Sequence, residues 1–411
     1  VYLVQDTSDS ALYALKKIRC PFGQESVSQA LKEVEAYTLF APHPNIIASV
    51  DHAVLADSTT KVSGIGADAG SGGASKTVYI VLPYYRRGNL QDMINANLVN
   101  HTRFGERRLM QLMLGVCKAL KAMHQYHVRN NASRSAAQAI RDEAANEDAD
   151  AAQRRAKTTK RTMTASAQNQ EEISEEQEEP MLQPSDEVTR AQEGAKPGDI
   201  RAYAHRDIKP GNIMIDDDGR TPILMDLGSL APAPTPITSR SLAIAVQDTA
   251  AEHSTMPYRA PELFDVKTGS VIDTKVDIWS LGCTMYACLV GKSPFEARSD
   301  ETGGSLSICV LGGDWRWPDE GNQSKGKGKV GGAPTRSNTA QSANGDANKT
   351  PDVPSARIYP HPAARDVVRR CLQVEPAERP DVDELMTLID TCLSELPEDD
   401  EGGGVEADGD V

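Results

Sequence analysis

The sequence predicts an α+β chain folded as two unequal lobes, and three observations carry that expectation. Short apolar runs of strand type gather before position 85, whereas helical periodicity dominates after it. A polar octet, His205-Arg206-Asp207-Ile208-Lys209-Pro210-Gly211-Asn212, then interrupts the helical part just ahead of the apolar run Ile213-Met214-Ile215. Strands early and helices late make a layered α+β architecture rather than alternating β and α units. No internal repeat is visible.

Val1 to Val4 and Leu12 to Ile18 read as two strands joined by the polar turn Asp6 to Ser10. Ser26 to Phe40 reads as a helix, followed by His43-Pro44-Asn45-Ile46, where proline disfavours helical continuation. Positions 57–76, rich in Gly, Ser and Ala between two apolar strands, read as a flexible hairpin insertion. Val78 to Leu82 is a short buried-strand pattern, and Arg86-Arg87-Gly88-Asn89 a turn leading away from it. Arg107 to His127 is the clearest amphipathic helix, with Leu109, Leu112, Met113, Val116, Leu120 and Met123 at helical spacing.

Periodicity is lost over 129–199, which includes the acidic run Glu171 to Glu179; this predicts a disordered insertion. Closing a loop of about 70 residues costs roughly 2–3 kcal/mol more than closing one of about five. A domain stable by about 5–15 kcal/mol tolerates that at a surface position. Tyr203-Ala204 reads as a short strand after it. Ser241 to Glu252 has helical character, and Asp277 to Leu289 is an apolar helix stopped by Gly291. A second low-complexity insertion covers 322–355, and Ala363 to Leu372 and Asp381 to Leu393 close the fold as helices.

With 44 Lys+Arg against 59 Asp+Glu in 411 residues, the net charge is −15. That balance excludes nucleic acid as the main partner, because phosphate binding needs clustered cations. From Glu398 to Val411 there are seven carboxylates and no base, so about half the excess lies in the tail. Seven cysteines without a C-x-x-C pair read as reduced, cytosolic thiols. Cys117, Cys283 and Cys288 fall in apolar helical patterns as small buried hydrophobes. No apolar run approaches the roughly 18 residues of a membrane span. The chain opens at Val1 without an initiator Met and reads as a fragment, so the sequence does not decide whether an N-terminal targeting or lipidation signal exists.

In the octet, Asp207 and Asn212 sit five positions apart on one loop. That spacing lets the carboxylate face a substrate hydroxyl while the asparagine oxygen reaches a metal ion on nucleotide phosphates. Taken alone, the octet also fits a polar turn before a strand. Its partners decide between the two readings. Lys16, Glu33, Asp226-Leu227-Gly228, Ala260-Pro261-Glu262 and Asp277-Ile278-Trp279-Ser280-Leu281-Gly282 follow the order of the protein-kinase signatures. The chain therefore resembles a eukaryotic protein kinase from Val1 to about Leu396.

The wording of Tyr13-Ala14-Leu15-Lys16-Lys17-Ile18, Leu82-Pro83-Tyr84-Tyr85, Tyr203-Ala204-His205-Arg206-Asp207, Met225-Asp226-Leu227-Gly228-Ser229 and Tyr258-Arg259-Ala260-Pro261-Glu262-Leu263-Phe264 is similar to that of the Numb-associated kinases. Within them it resembles the lipid-anchored branch typified by serine/threonine kinase sixteen and its fungal relatives. The resemblance implies a bilobal protein-kinase-like fold. A small β-rich lobe would span 1–85 with its insertion, and a larger helical lobe 86–396 with insertions at 129–199 and 322–355. An acidic tail would follow at 397–411.

The resemblance also implies roles for single residues. Lys16 would hold the α- and β-phosphates of ATP, oriented by Glu33; Glu35 lies nearby, but the Leu39-Phe40 register favours Glu33. Asp207 would accept or orient the substrate hydroxyl. Asn212 and Asp226 would bind Mg2+, an ion that prefers hard oxygen donors. Lys209 would neutralise the γ-phosphate, and in the family it marks serine/threonine specificity. Adenine would lie between Val1 and Ala14 above and Met214 below. Its edge would meet the backbone at Pro83 and Tyr85, with Leu82 at the back; proline serves where only a carbonyl acceptor is needed. Thr255 would hydrogen-bond Asp207 and Lys209, and Glu262 would pair with a buried Arg379. His205 would be a packed core histidine.

Arg206 before the aspartate couples activity, in such a pattern, to a phosphate on the activation segment. That segment offers Thr235, Thr238, Ser239, Ser241, Thr249 and Ser254, and autophosphorylation is expected between Ser229 and Thr255. The chain departs from the pattern in three ways: the glycine-rich loop is missing, because the chain begins where that loop would end, Leu227 stands where Phe is usual, and the insertions lengthen three loops. The implied activity is a protein-serine/threonine kinase acting on protein substrates, monomeric and cytoplasmic. By family alone it would be lipid-anchored at the cytosolic face of Golgi or vacuolar membranes, in vesicle traffic. The rival reading is a pseudokinase scaffold that binds protein partners without catalysis, although Lys16, Asp207, Asn212 and Asp226 are all intact. A kinase of small molecules or lipids fits Lys209 and Ala260-Pro261-Glu262 less well.

Overall fold

The computed structural model describes residues 1–21, 24–56, 75–128, 198–320 and 360–398. Of the insertions expected at 57–76, 129–199 and 322–355 and the tail expected at 397–411, positions 57–74, 129–197, 322–355 and 399–411 lie outside the described residues. The described chain forms the two expected lobes. In the first, strands β1 (Tyr2–Gln5), β2 (Leu12–Cys20), β3 (Asp51–Ala56) and β4 (Lys76–Pro83) build an antiparallel sheet in the order β1-β2-β4-β3. Helix α1 (Gln24–Phe40) packs on it through Val27, Leu31, Val34, Tyr37 and Phe40, all buried. The pairing of Ala56 with Lys76 makes β3 and β4 the two arms of a hairpin around the 57–76 segment.

Helix α2 (Leu90–Asn100) begins the second lobe and was not expected from the apolar pattern. Its signal is a capping box: Asn89 accepts from the Asp92 N–H while the Asp92 carboxylate accepts from the Asn89 N–H. Helix α3 (Glu106–His124) carries the expected amphipathic face, but it stops three residues earlier than the sequence indicated. Tyr126–His127 is instead strand β5, paired with β6 (Ile200–Ala204). The reason is packing. The Tyr126 ring meets Phe40 and Tyr203 edge-on at 5.6 and 5.8 Å, which ties the end of α1 to the base of the second lobe. The chain leaves at Val128 and returns at Gly198, where Gly198 N–H donates to Val128 O and Val128 N–H to Asp199 O.

Strands β7 (Ile213–Ile215) and β8 (Pro222–Leu224) form a small hairpin beneath the sheet. Strand β9 (Ala231–Ala233) pairs with β6, and β10 (Thr235–Pro236) pairs with β11 (Val271–Ile272). Between them, α4 (Arg240–His253) confirms the helical character of Ser241 to Glu252. Helix α5 (Lys275–Val290) is buried over most of its length and ends at Gly291 with φ of 103°. Two further short helices, α6 (Pro294–Thr302) and α7 (Leu306–Leu311), were not anticipated. A Ser293–Glu296 capping box marks α6. Helices α8 (Pro362–Cys371) and α9 (Val382–Glu395) close the lobe. Gly282 lets α8 approach α5: a Cβ there would lie 2.6 Å from that of Cys371.

The lobes are joined by backbone as well as side chains. Ile47 N–H donates to Leu224 O, Leu224 N–H donates to Asn45 O, and the Asn45 amide donates to Pro222 O. All seven cysteines are free, as expected, and all are buried, including Cys117, Cys283 and Cys288, for which burial was expected. Burial pushes the Cys371 thiol up to about 12. Among the described residues, no helix is long and apolar enough to cross a membrane.

Arg379 and Glu262 form the expected bridge, a bidentate pair at 2.7 and 2.8 Å with the Arg379 side chain fully buried. Its remaining donors reach Gln373 O, Lys275 O and Val374 O, and its guanidinium lies 5.0 Å from the Trp279 ring centre. Substituting Glu262→Leu strands that cation. The expected loss is about 3–5 kcal/mol of unfolding free energy in a urea titration, partly recovered in the Glu262→Leu/Arg379→Met double variant.

Candidate active site

The central strand of the first lobe delivers Lys16, which pairs with Ile80 across β2 and β4. Its Nζ donates to Glu33 Oε1 at 2.6 Å and to Asp226 Oδ1 at 2.9 Å. Strand, helix and the turn after β8 thus converge on one ammonium, and Glu33 rather than Glu35 is the helical partner. Burial alone would lower the Lys16 pKa, but the two carboxylates outweigh it and hold the group above its ordinary value. The reciprocal effect holds Asp226 low: burial would raise its pKa, and the Lys16 charge and hydrogen bond overcome that.

The loop below is a closed polar network. Asp207 Oδ1 accepts from the Thr255 N–H at 2.8 Å and the Thr255 hydroxyl at 2.7 Å. Asp207 Oδ2 accepts from Lys209 Nζ at 2.7 Å and Asn212 Nδ2 at 2.9 Å. Lys209 Nζ also donates to Thr255 Oγ1, and Asn212 Nδ2 to the Asp207 carbonyl. The four expected residues of this network therefore meet. Their meeting depends on two residues in the left-handed region, Arg206 at φ 67° and Asp226 at φ 62°. Such conformations are uncommon outside glycine and are held only by their surroundings.

His205 is fully buried and acts as a strut, as expected. Its Nδ1 accepts from the Asp207 N–H, which leaves Nε2 to donate to Met225 O. Arg206 is half-buried. Its Nη2 reaches Thr235 Oγ1 at 3.3 Å, and its Nε has no hydrogen-bond partner among the described residues. Burial lowers its pKa to about 10 against the opposing pull of Asp277, so it stays charged near neutrality.

The apolar residues expected around adenine line up by register. Ala14 pairs with Leu82 and Tyr13 with Pro83, so Ala14 shares the Lys16 face of β2. Met214 is half-buried between the fully buried Ile213 and Ile215. Burial and the nearby Asp216 and Asp217 push Tyr85 up to about 12. Val1 precedes β1 and is 82% exposed.

Two oxygens suit a magnesium ion. The Asn212 amide directs its nitrogen to Asp207, and its Oδ1 accepts no hydrogen bond among the described residues. Among the described residues the Asp226 carboxylate takes its hydrogen bond from the displaceable Lys16 ammonium alone, at Oδ1. Among the described residues no group of three or more His, Cys, Asp or Glu could hold a metal. An ion bound here would complete its shell with phosphate oxygens and water, which is how magnesium is ordinarily held.

Sequence reasoning missed two supports. Asp277, read only as part of a motif, accepts the His205 and Arg206 N–H groups at 2.8 Å each. Arg259 is buried, and its donors reach Ser254 Oγ and Ser254 O at 2.7 Å, fixing the residue before Thr255. Ser254 is itself buried, its hydroxyl bonded to Ala250 O, which removes it from the accessible hydroxyls of the segment.

The sequence matches the protein kinase domain family over residues 1–130 and 201–388. It is 31% identical to the serine/threonine-protein kinase ENV7 of Saccharomyces cerevisiae, over 95% of this chain and 87% of that protein. It is 28% identical to the serine/threonine-protein kinase ppk13 of Schizosaccharomyces pombe, over 96% and 87% respectively. It is also 28% identical to human serine/threonine-protein kinase 16, over 75% of this chain and 71% of that one. The chain belongs to the eukaryotic protein kinases, as a serine/threonine kinase domain related to ENV7 and kinase 16 at moderate identity.

Proposed function

We propose that the chain transfers the γ-phosphate of ATP to serine and threonine hydroxyls of protein substrates. The observation that carries this reading is the Lys16 ammonium bound to both Glu33 and Asp226, next to a loop whose Asp207 is already oriented. A lysine held between two carboxylates is in place to exchange one of them for phosphate oxygens. Ala14, Leu82, Pro83, Tyr85, Met214 and Val1 would surround the adenine. Magnesium, when bound at Asn212 and Asp226, neutralises phosphate charge.

The carboxylate of Asp207 has about four lone-pair sites, and four donors occupy them. A substrate hydroxyl therefore has to displace one donor, and Lys209, about a quarter exposed, is the movable one. Released from Asp207, it is free to neutralise the γ-phosphate. An acceptor so fully hydrogen-bonded orients the hydroxyl and takes its proton late. That suits a loose transition state in which positioning and charge neutralisation dominate.

The reading extends to regulation. Arg206 carries a buried Nε without a partner among the described residues, beside Thr235, which favours it as the receiver of an activation-segment phosphate. Autophosphorylation is proposed on the exposed hydroxyls Thr238, Ser239, Ser241 and Thr249. The motif likeness to lipid-anchored kinases extends it further, to a place on Golgi or vacuolar membranes in vesicle traffic.

Asp207→Asn is expected to cut phosphate transfer to a generic protein substrate by about 10²–10⁴-fold without shifting the melting midpoint. Equal transfer by both proteins would remove the enzyme assignment. Mass spectrometry of active protein is expected to show phosphate between Ser229 and Thr255, and an unmodified span counts against autophosphorylation. Fractionation of the complete protein is expected to place it with Golgi or vacuolar membranes; recovery only in the soluble fraction would sink that location.

A further inference from the structure

One buried polar group lies beside the ion pairs of the cleft without a part in the chemistry above. Tyr37 is 1% exposed and sits one helical turn after Glu33 on α1. Its hydroxyl donates to Glu33 Oε1 at 2.5 Å, the same oxygen that receives Lys16 Nζ. Residues four apart on a helix lie on one face, so ring and carboxylate point together toward the turn that carries Asp226. Helix α1 packs directly on Leu227–Ser229 there. Gly228 leaves room for that approach, since a Cβ on it would already sit 3.4 Å from Glu33 Oε2 and 3.5 Å from Asp226 Oδ1.

We infer that Tyr37 is a positioning residue for phosphoryl transfer, its hydroxyl holding the Glu33 carboxylate at Lys16 and against the Asp226 turn. The inference rests on the kinase reading above and adds to it the group that orients the Glu33 carboxylate toward Lys16. A glutamate side chain has three rotatable bonds, and one ammonium fixes one oxygen of it. A second donor on that oxygen, from a ring locked in the core, removes the remaining freedom. The phenol cannot leave for water, because its ring is enclosed with Val34, Phe40 and the other apolar residues of α1. Burial, together with the nearby Glu33 and Asp226 charges, keeps it protonated and hence a permanent donor. Tyr37 and Glu33 ride on the same helix, so their bond travels with α1 and fixes the direction of the carboxylate, while the ion pair to Lys16 is what joins α1 to the sheet.

The test is a double-mutant cycle read by nucleotide binding rather than turnover. The affinity of the complete protein for the magnesium complex of a non-hydrolysable ATP analogue is measured by calorimetry for wild type, Tyr37→Phe, Glu33→Gln and the double variant. Tyr37→Phe keeps the ring and removes one oxygen. It is expected to weaken binding roughly tenfold, the size of one hydrogen bond to a charged group. On the Glu33→Gln background the same change is expected to have little further effect, which a merely structural role would not produce. Unchanged binding by Tyr37→Phe, or a loss that repeats in full without Glu33, overturns the inference. Should Tyr37→Phe melt early, Tyr37→Met in the same cycle decides by the same criterion. Wild-type protein that binds no nucleotide would sink the kinase reading instead, so the two failures are distinct.

Discussion

A carboxylate with no exposure to solvent, Asp277 in the first turn of α5, sets the geometry on which the polar loop depends. Withdrawing such a charge from water costs several kcal/mol unless donors replace the solvent. Three do: the backbone N–H groups of His205 and Arg206, and His124 Nε2 at 2.9 Å. Burial by itself would raise the Asp277 pKa, but the hydrogen bonds from the His124 side chain and the Arg206 N–H help keep it below the usual value. The positive end of the helix dipole adds to this. Because two consecutive backbone donors must aim at one carboxylate, Arg206 is turned into the left-handed region and Asp207 is presented to Thr255. The loop is strained locally and fixed globally.

Two ionic clusters of similar composition then behave differently because of their surroundings. Every N–H of the Arg379 guanidinium has an acceptor, and its side chain is fully buried. Nothing can replace those partners, so the bridge acts as a rivet between the segment after α4 and the late helices. Lys16 has a quarter of its side chain exposed, and Asp226 somewhat more. Its partners can be exchanged for ligand oxygens at small desolvation cost. The first cluster specifies the fold, and the second is available for chemistry.

Burial in this protein is also arranged so that the lobes share elements. Asn45 and Ile47, just after α1, bond to β8 of the other lobe, while Phe40, Tyr126 and Tyr203 interlock beneath. A shift of α1 is therefore felt at the turn following β8, where Asp226 lies. This mechanical connection gives a hydroxyl on α1 influence over a metal-ligand candidate about 190 residues away in sequence.

Much of this could be read without coordinates. The amphipathic stripe of α3, the Gly291 stop, the early strands and the order of the polar motifs are local signals, and each led to the right element. Helices α2, α6 and α7 escaped because they are short and their apolar pattern is thin; only the capping boxes of the first two announced them. The end of α3 was misplaced because Tyr126 follows a helical rhythm but is claimed by rings at positions 40 and 203. The sequence by itself determined which chemical groups exist and in what order, since motif spacing is a property of a single loop or turn. Tertiary structure alone decided that Ser254 is enclosed by Arg259, and that Asp277 and Tyr37 orient the cleft. Those facts depend on where separate elements come to rest against each other, and hydrogen bonds across such contacts leave no periodicity in the chain.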